Sequence, residues 1–267
     1  MAKQPFIPPF GKEVKLSDYS TREAEPAGRD KGKKEIEELR LELEELHELI
    51  VADGRFPILV LLQAPDAGGK DGTIRSVFDE VDPLGVNSVG FKAPNDEELA
   101  HDYLWRIHRQ MPGKGHVTIF NRSHYEDVLV VRVRNLAPKE RWKKRYDHIN
   151  NFERMLTDEG MVIIKFFLHI SKDEQRERLQ ERIDNPKKQW KFRAGDLEDR
   201  ALWEDYQAAY EEMLERCNTE YAPWHIIPAD RNWYRDLMVG RIIRDRLNEL
   251  GLRYPPPEPG VAGRTVV

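Results

Sequence analysis

The chain has 267 residues, with 43 basic and 48 acidic side chains, a formal net charge of −5 and one cysteine, Cys217. That length is sufficient for one large domain with a buried core. The near balance of charges argues against a general nucleic-acid binder, and a lone cysteine excludes an internal disulfide and suits a reducing cytoplasm. No run approaches the roughly 18 apolar residues of a membrane span, and the N-terminus lacks a secretory signal. The eight histidines show no zinc-ligand spacing, so zinc catalysis is not expected. From the charge balance, the cysteine count and the lengths of the apolar runs, we expect a soluble cytoplasmic protein without membrane or nucleic-acid partners.

The predicted elements alternate between strands and helices. Residues 1–30 are rich in Pro, Gly and charge and are expected to form an extended arm, and residues 251–267 a Pro-rich tail. A helix from Lys31 carries apolar residues for packing against the main domain or a partner subunit: Ile36, Leu39, Leu43, Leu46 and Ile50. Apolar runs predict strands at 56–63, 86–91, 116–120, 161–169 and 224–227. Helices are predicted at 73–80, 96–110, 125–133, 138–158, 171–183, 197–217 and 233–250.

Strands separated by helices imply right-handed crossovers and a mostly parallel sheet. We therefore predict an α/β fold, a three-layer αβα sandwich with about five strands covered on both faces. Ligands of such sheets bind beyond the carboxyl ends of the strands. This edge brings together residues 63–70, residues 121–127 and the loop after His169.

A degenerate phosphate-binding loop follows the first strand, at QAPDAGGKDGT (63–73). Against G-x-x-x-x-G-K-[ST], Ala64 replaces the first glycine, Gly69 and Lys70 fit, and Asp71 replaces the hydroxyl residue. Such loops wrap backbone N–H groups round one phosphate while the lysine reaches another, although Gly-rich turns of this kind also occur without a ligand. Carboxylates at Asp66 and Asp71 are compatible with an anionic substrate if Mg²⁺ bridges them. The predicted phosphate-binding residues here are Ala67, Gly68, Gly69, Lys70, Asp71, Gly72 and Thr73.

A second polar segment, FNRSHYEDV (120–128), follows a predicted buried strand. Nucleotide-binding folds commonly place a metal-binding acid at this point, where Asn121 stands instead. Glu126 and Asp127 lie one turn further and supply negative charge. Arg122 suits the oxygens of a transferring phosphoryl group, and Asn121 and Arg122 are further phosphate-binding candidates. The alternative is that Arg122, Glu126 and Asp127 form only an ion pair and a helix cap.

The third segment is basic and runs from Ser171 to Asp196. Ser171 and Glu174 have the spacing of a capping box. Arg178 and Arg182 share one helix face, while Leu179 and Ile183 are expected to face the core. A solvated charged face is the ordinary explanation. We favour a closing lid, since lid cations clamp a polyanion and exclude water.

Together, QAPDAGGKDGT, FNRSHYEDVLV and RIDNPKKQWKF, followed by GDLEDRALWEDY and PADRNWYRDL, resemble the type 2 polyphosphate kinase family over roughly residues 30–255. The resemblance is to the subgroup that phosphorylates nucleoside mono- and diphosphates. It implies a P-loop kinase-like domain at 31–250 with a helical lid at about 171–196. It also implies Mg²⁺ (with Mn²⁺ as an alternative), inorganic polyphosphate with AMP, ADP and ATP as substrates, guanine nucleotides as further candidates, and a homo-oligomer, dimer or tetramer.

The resemblance also assigns catalytic residues. They are Asp66 and Lys70 of the loop, Arg122, Glu126 and Asp127 of the second motif, and Arg178 and Arg182 of the lid. Asn121 departs from members with Asp there, which leaves Asp66 and Asp127 both open as the metal ligand. Two rival functions remain: an ATP-dependent nucleotide kinase of the same fold, and a non-catalytic sensor of polyphosphate or nucleotide.

Overall fold

A computed structural model describes residues 6–23, 28–261 and 263–265. Its centre is a five-stranded sheet in which every neighbouring pair is parallel, in the order β2-β3-β1-β4-β5. The strands are β1 (Ile58–Gln63), β2 (Val86–Gly90), β3 (Val117–Asn121), β4 (Val162–His169) and β5 (Trp224–Pro228). The central strands β1 and β4 are buried throughout because they are covered on both faces, whereas the edge strand β2 is partly exposed.

Helices cover both faces of the sheet. They are α1 (Gly28–Asp53), α2 (Lys70–Val77), α3 (Asp96–Leu99), α4 (Trp105–His108), α5 (Val130–Val133), α6 (Lys139–Asp158), α7 (Lys172–Asp184), α8 (Ala194–Ala201), α9 (Trp203–Arg216) and α10 (Asn232–Asn248). Short 3₁₀ turns lie at Leu16–Asp18, His124–Asp127 and Gln189–Lys191. Among the helices in these ranges, none combines the length and hydrophobicity needed to cross a lipid bilayer.

The two faces of β1 show how the layers form. Successive strand residues point to opposite sides. Ile58, Val60 and Leu62 join the core formed with α1 and α10, while Leu59 and Leu61 join the core formed with α6 and α9. The three-layer αβα prediction is confirmed.

The apolar stripe of α1 packs within its own domain. All five of its predicted residues are buried, and they belong to the same core as the apolar residues of α10. Arg241 of α10 also donates hydrogen bonds to the carboxylate of Glu35 on α1. Of the two packing partners that the sequence allowed, the main domain is therefore the one observed.

Two predicted helices are interrupted. The region predicted as one helix at 96–110 forms α3 and α4, because the Asp102 carboxylate accepts from the Leu104 N–H and stabilises a turn between them. The region predicted at 197–217 forms α8 and α9, which meet at Leu202, where the Leu202 N–H bonds to the Asp199 carbonyl. Side-chain and turn hydrogen bonds override helix propensity at both points.

Smaller predictions were also wrong. The helix after the phosphate loop begins at Lys70 and ends at Val77, not at 73–80, and the helix predicted at 125–133 is a 3₁₀ turn followed by α5. Ile183 is 38 % exposed, whereas Leu179 is buried as expected.

The predicted arm and tail lie partly outside the described residues, which omit 1–5, 24–27, 262 and 266–267. Where the arm is described, Val14 and Leu16 are buried, and the Leu16 N–H donates to Glu211. The division into arm, domain and tail stays a prediction.

Candidate active site

The turn between β1 and α2 has the backbone shape of a phosphate-binding loop. Ala67 and Gly69 adopt positive φ of 60° and 100°, and the Gly68 N–H bonds to the Pro65 carbonyl at 3.0 Å. A β-carbon at Gly68 would lie 2.6 Å from the Ala64 side chain, so only glycine fits there. The curled backbone leads directly into the N-terminus of α2, which favours an anion in the loop.

Lys70 is buried inside this loop. Its ammonium donates to the carbonyl of Ala64 at 2.8 Å and, at 3.4 Å, to the carbonyl of Pro65. The pKa of Lys70 is lowered to about 8, chiefly by burial and also by the charge of Arg122, against the opposing effect of nearby carboxylates. The lysine is thus a desolvated cation held on two carbonyls of the loop.

This shifted pKa predicts a pH dependence of anion binding. As the pH rises through about 8, the free protein loses the Lys70 proton and with it a positive charge. We expect tripolyphosphate affinity to fall over this interval more steeply in the wild type than in Lys70→Arg, whose guanidinium stays protonated. Isothermal titration calorimetry below and above pH 8 measures both proteins. Because the titration of tripolyphosphate itself is common to both, identical pH profiles would contradict the prediction.

The second predicted segment meets the loop, because β1 and β3 are adjacent and parallel. Arg122, just after β3, adopts φ of 64°, and its N–H bonds to the Leu62 carbonyl at 3.1 Å. Left-handed backbone costs a non-glycine residue about 1–2 kcal/mol, so the surrounding structure must hold Arg122 in this conformation. The turn directs the Arg122 guanidinium to Asp66 of the loop and, at 3.4 Å, to Glu126. The pKa of Arg122 is raised by both carboxylates, and Glu126 contributes more than Asp66.

Asn121 is also joined to the loop. Its amide nitrogen donates to the carboxylate of Asp71. Asn121 stands where nucleotide-binding folds usually have an acid, and Asp71 stands where the phosphate-loop pattern has Ser or Thr. These two residues therefore contact each other.

Asp127 has a different neighbourhood. Its carboxylate accepts from Arg145 of α6 at 2.7 Å, and the same nitrogen bonds to the Asp127 carbonyl. Burial raises the pKa of Asp127 to about 6, with Arg145 opposing and Glu126 adding to the shift. The carboxylate is therefore mostly ionised at neutral pH and already has a cationic partner.

The predicted lid arginines are both engaged. Arg178 pairs with Glu174 and donates to the carbonyls of Ala67 at 3.2 Å and Ala229 at 2.7 Å, so it ties α7 to the phosphate loop. Arg182 lies 3.5 Å from Asp196. The Ser171 hydroxyl accepts from the Glu174 N–H, which is one half of the predicted capping box.

A buried charge cluster that sequence reasoning missed supports the second segment. Glu153 of α6 accepts from Lys165 of β4 at 2.6 Å, from the Tyr125 hydroxyl at 2.8 Å, and contacts His124 at 3.2 Å. All four side chains are at most 1 % exposed. Lys165 also donates to Tyr125 and to the Cys217 carbonyl, so its ammonium has three partners, whereas Nδ1 of His124 is buried without a hydrogen-bond partner. The sequence signal that could have revealed this cluster is the lysine inside the apolar run VIIKFFLH (162–169).

The site also suits a hard divalent cation. The carboxylates of Asp66, Asp71 and Glu126 all act on the Lys70 charge. In the part of the chain that the structure describes, no group of three or more His, Cys, Asp or Glu is arranged to hold a metal by itself. One or two carboxylates completed by substrate phosphates are the usual arrangement for Mg²⁺, so the donor set fits that ion.

Comparison with known proteins agrees with this geometry. The sequence profile of the family described as Polyphosphate kinase 2 matches residues 27–252. The AMP/ADP-polyphosphate phosphotransferase of Meiothermus ruber is 57% identical over 253 residues, covering 94% of this chain and 95% of that protein. The ADP-polyphosphate phosphotransferase of Rhodopseudomonas palustris is 44% identical, covering 81% and 79%.

A solved structure is similar over nearly the whole chain. The crystal structure of polyphosphate kinase 2 from Arthrobacter aurescens TC1 superposes with a TM-score of 0.89 at 40% identity, covering 96% of each chain. The resemblance carried by the three sequence motifs is therefore confirmed. The chain belongs to the polyphosphate kinase 2 family.

Proposed function

We propose that this chain is a Mg²⁺-dependent polyphosphate:AMP/ADP phosphotransferase. It moves the terminal phosphoryl group of inorganic polyphosphate to nucleoside mono- and diphosphates, forming ADP and ATP, and the reaction is reversible. The observation that carries the proposal is the contact of Arg122 with Asp66 in the loop that also buries the Lys70 ammonium, at the carboxyl ends of adjacent strands. The names of the Meiothermus ruber and Rhodopseudomonas palustris relatives support the substrates.

The phosphate loop would hold the end of the polyphosphate. The N–H groups of Gly68 and Thr73 are already bonded to carbonyls of the loop, so the other backbone N–H groups of 67–73 bind its oxygens. The Lys70 ammonium binds them as well, replacing the carbonyl partners that it has in the structure. Asn121 and Arg122 line the opposite wall. Arg178 and Arg182 contribute charge from α7, where closure would exclude water from the transferring group.

The transfer itself needs alignment and charge neutralisation. An oxygen of the acceptor phosphate forms a bond to the terminal phosphorus, and the bond from that phosphorus to the bridging oxygen of the chain breaks. The electron pair leaves with the shortened polyphosphate. Because the acceptor oxygen is already anionic at neutral pH, no general base is required. Arg122 stabilises the charge on the equatorial oxygens and Lys70 that on the leaving chain.

Kinases of this kind use a divalent metal ion. We propose Mg²⁺, with Mn²⁺ as an alternative, and Asp66 as the protein carboxylate that holds it. The ion supplies charge neutralisation between phosphate oxygens. Asp127 is the second candidate. Both carboxylates pair with an arginine, but Asp66 belongs to the phosphate loop itself, whereas Asp127 pairs with Arg145 of α6, so we assign Asp127 to orientation of the acceptor together with Glu126.

The proposal extends to guanine nucleotides as further substrates, to a homo-oligomer and to a cytoplasmic location. The single cysteine supports the location, since it suits a reducing compartment. The oligomer rests on the family resemblance, because the stripe of α1 is covered within its own chain.

The test uses purified protein with Mg²⁺ and long-chain polyphosphate, given AMP or ADP separately, with products resolved by chromatography. We expect ADP and then ATP from AMP, and ATP from ADP. Product from ADP alone would remove the dual-acceptor assignment while keeping polyphosphate as donor.

Parallel reactions with ATP as the only donor address the rivals. Phosphorylation of AMP by ATP with none from polyphosphate would favour an ordinary nucleotide kinase. Tight polyphosphate binding without turnover in Mg²⁺ would favour a non-catalytic sensor. Either result would overturn the proposed function.

A further inference from the structure

An arginine of the last helix lies against the back of the phosphate loop. Arg235, in the first turn of α10, is 2 % exposed. A β-carbon at Gly69 would lie 1.9 Å from its Nη1, and one at Gly72 would lie 3.3 Å from its Nη2. The guanidinium therefore packs directly on the backbone where the loop becomes α2, and residue 69 is glycine for both its positive φ and this contact.

The guanidinium is held in a single orientation. Its Nε and Nη2 donate to one oxygen of Asp236, at 2.8 and 2.7 Å, and its Nη1 donates to the side-chain oxygen of Asn232 at 2.8 Å. Both partners lie at the start of α10, which packs against α2. The arginine is thus fixed relative to the loop by its own helix.

This arrangement concentrates positive charge behind the loop. The Arg178 guanidinium reaches the same spot, 3.4 Å from the β-carbon position of Gly69, and the N-terminus of α2 adds its positive dipole. Burial lowers the pKa of Arg235, and the charge of Arg178 lowers it further against the opposing effect of Asp236. Buried like charges are costly, and an apolar side chain of similar size would avoid the cost. An anion in the loop would offset it.

We propose that Arg235 is a positioning residue of the phosphate site, one that holds Gly69 in its left-handed conformation and adds a fixed positive charge behind the loop. It acts through the loop backbone and touches no substrate. The ligand class is the polyanionic end of inorganic polyphosphate, so this inference rests on the proposed function. Asp236 weakens this effect, because its negative charge partly cancels the charge of Arg235 at the loop.

Two substitutions with different expected effects on tripolyphosphate affinity test this role. Arg235→Met removes the positive charge and the N–H donors of the guanidinium. Asp236→Asn keeps an accepting oxygen and removes only the negative counter-charge. We expect Arg235→Met to weaken tripolyphosphate binding by about tenfold or more, Arg235→Lys to recover part of the loss, and Asp236→Asn to bind at least as tightly as the wild type. Calorimetry with tripolyphosphate and no nucleotide gives each dissociation constant.

The matched control is Arg241→Met on the same helix, where the arginine pairs with Glu35 of α1. It loses a similar ion pair and is expected to bind tripolyphosphate like the wild type. Wild-type affinity in Arg235→Met, or weakening in Asp236→Asn equal to that in Arg235→Met, would overturn the proposal. If Arg235→Met does not fold, the Arg235→Lys and Asp236→Asn results decide alone. Absence of tripolyphosphate binding by the wild type would instead count against the proposed function.

Discussion

Replacing Lys70 by methionine is expected to lower kcat/KM for polyphosphate by about a thousandfold, because the site loses its desolvated cation. The protein should remain folded, since the same change removes a buried charge whose pKa is already lowered to about 8. Steady-state assays with AMP and ADP measure the rate, and thermal unfolding measures stability. We expect a melting temperature equal to or above that of the wild type.

The control for this variant is Lys34→Met, the same chemical change at an exposed position of α1. It should leave both the rate and the melting temperature unchanged. Near-normal turnover in Lys70→Met would contradict a role of the phosphate loop in the mechanism. A lost rate together with a large fall in melting temperature would show that Lys70 stabilises the fold rather than the transferring phosphoryl group.

The second large effect is expected from Asp66→Asn, compared with Asp127→Asn. Asp66 faces the Arg122 guanidinium inside the site, whereas Asp127 is paired with Arg145. If Asp66 holds the metal, its amide variant should lose about a thousandfold in kcat at ordinary Mg²⁺ and recover partly in excess Mg²⁺. Asp127→Asn should change the KM for the nucleotide and leave the Mg²⁺ dependence unaltered.

Rates are measured as a function of Mg²⁺ for both variants and the wild type. The assignment would be reversed by a shifted Mg²⁺ dependence in Asp127→Asn together with an unchanged one in Asp66→Asn. Similar shifts in both would mean that the two carboxylates share the ion. Direct binding of Mn²⁺, followed by electron paramagnetic resonance, separates loss of the metal from loss of orientation.

The buried cluster of Glu153, Lys165, Tyr125 and His124 clarifies what supports Arg122. Arg122 occupies a strained turn, and the two residues that begin the following 3₁₀ helix are both anchored to Glu153. Burial acts to raise the pKa of Glu153, but Lys165 and His124 hold it below its ordinary value. The charged carboxylate thereby fixes a segment that carries Arg122 and Glu126 into the site.

The sequence by itself determined the features that depend on local pattern. Apolar runs of strand length, separated by helices, were sufficient for the parallel sheet and its two covered faces. The loop at 64–69 was readable because tight backbone curvature demands small residues and glycine. Arg122 was predicted to lie near the loop because parallel strands end at a common edge of the sheet.

Only the tertiary structure decided contacts between distant segments. The pairing of Asp127 with Arg145, the burial of Arg235 behind Gly69 and the helix breaks at 100–104 and at Leu202 have no periodic signature in the chain. A charged residue gives the same local signal whether it is solvated, ion-paired or buried, because these states differ in neighbours brought by other elements. For this protein, periodicity and glycine spacing therefore predicted which segments form the candidate site, and packing decided which of their charges meet.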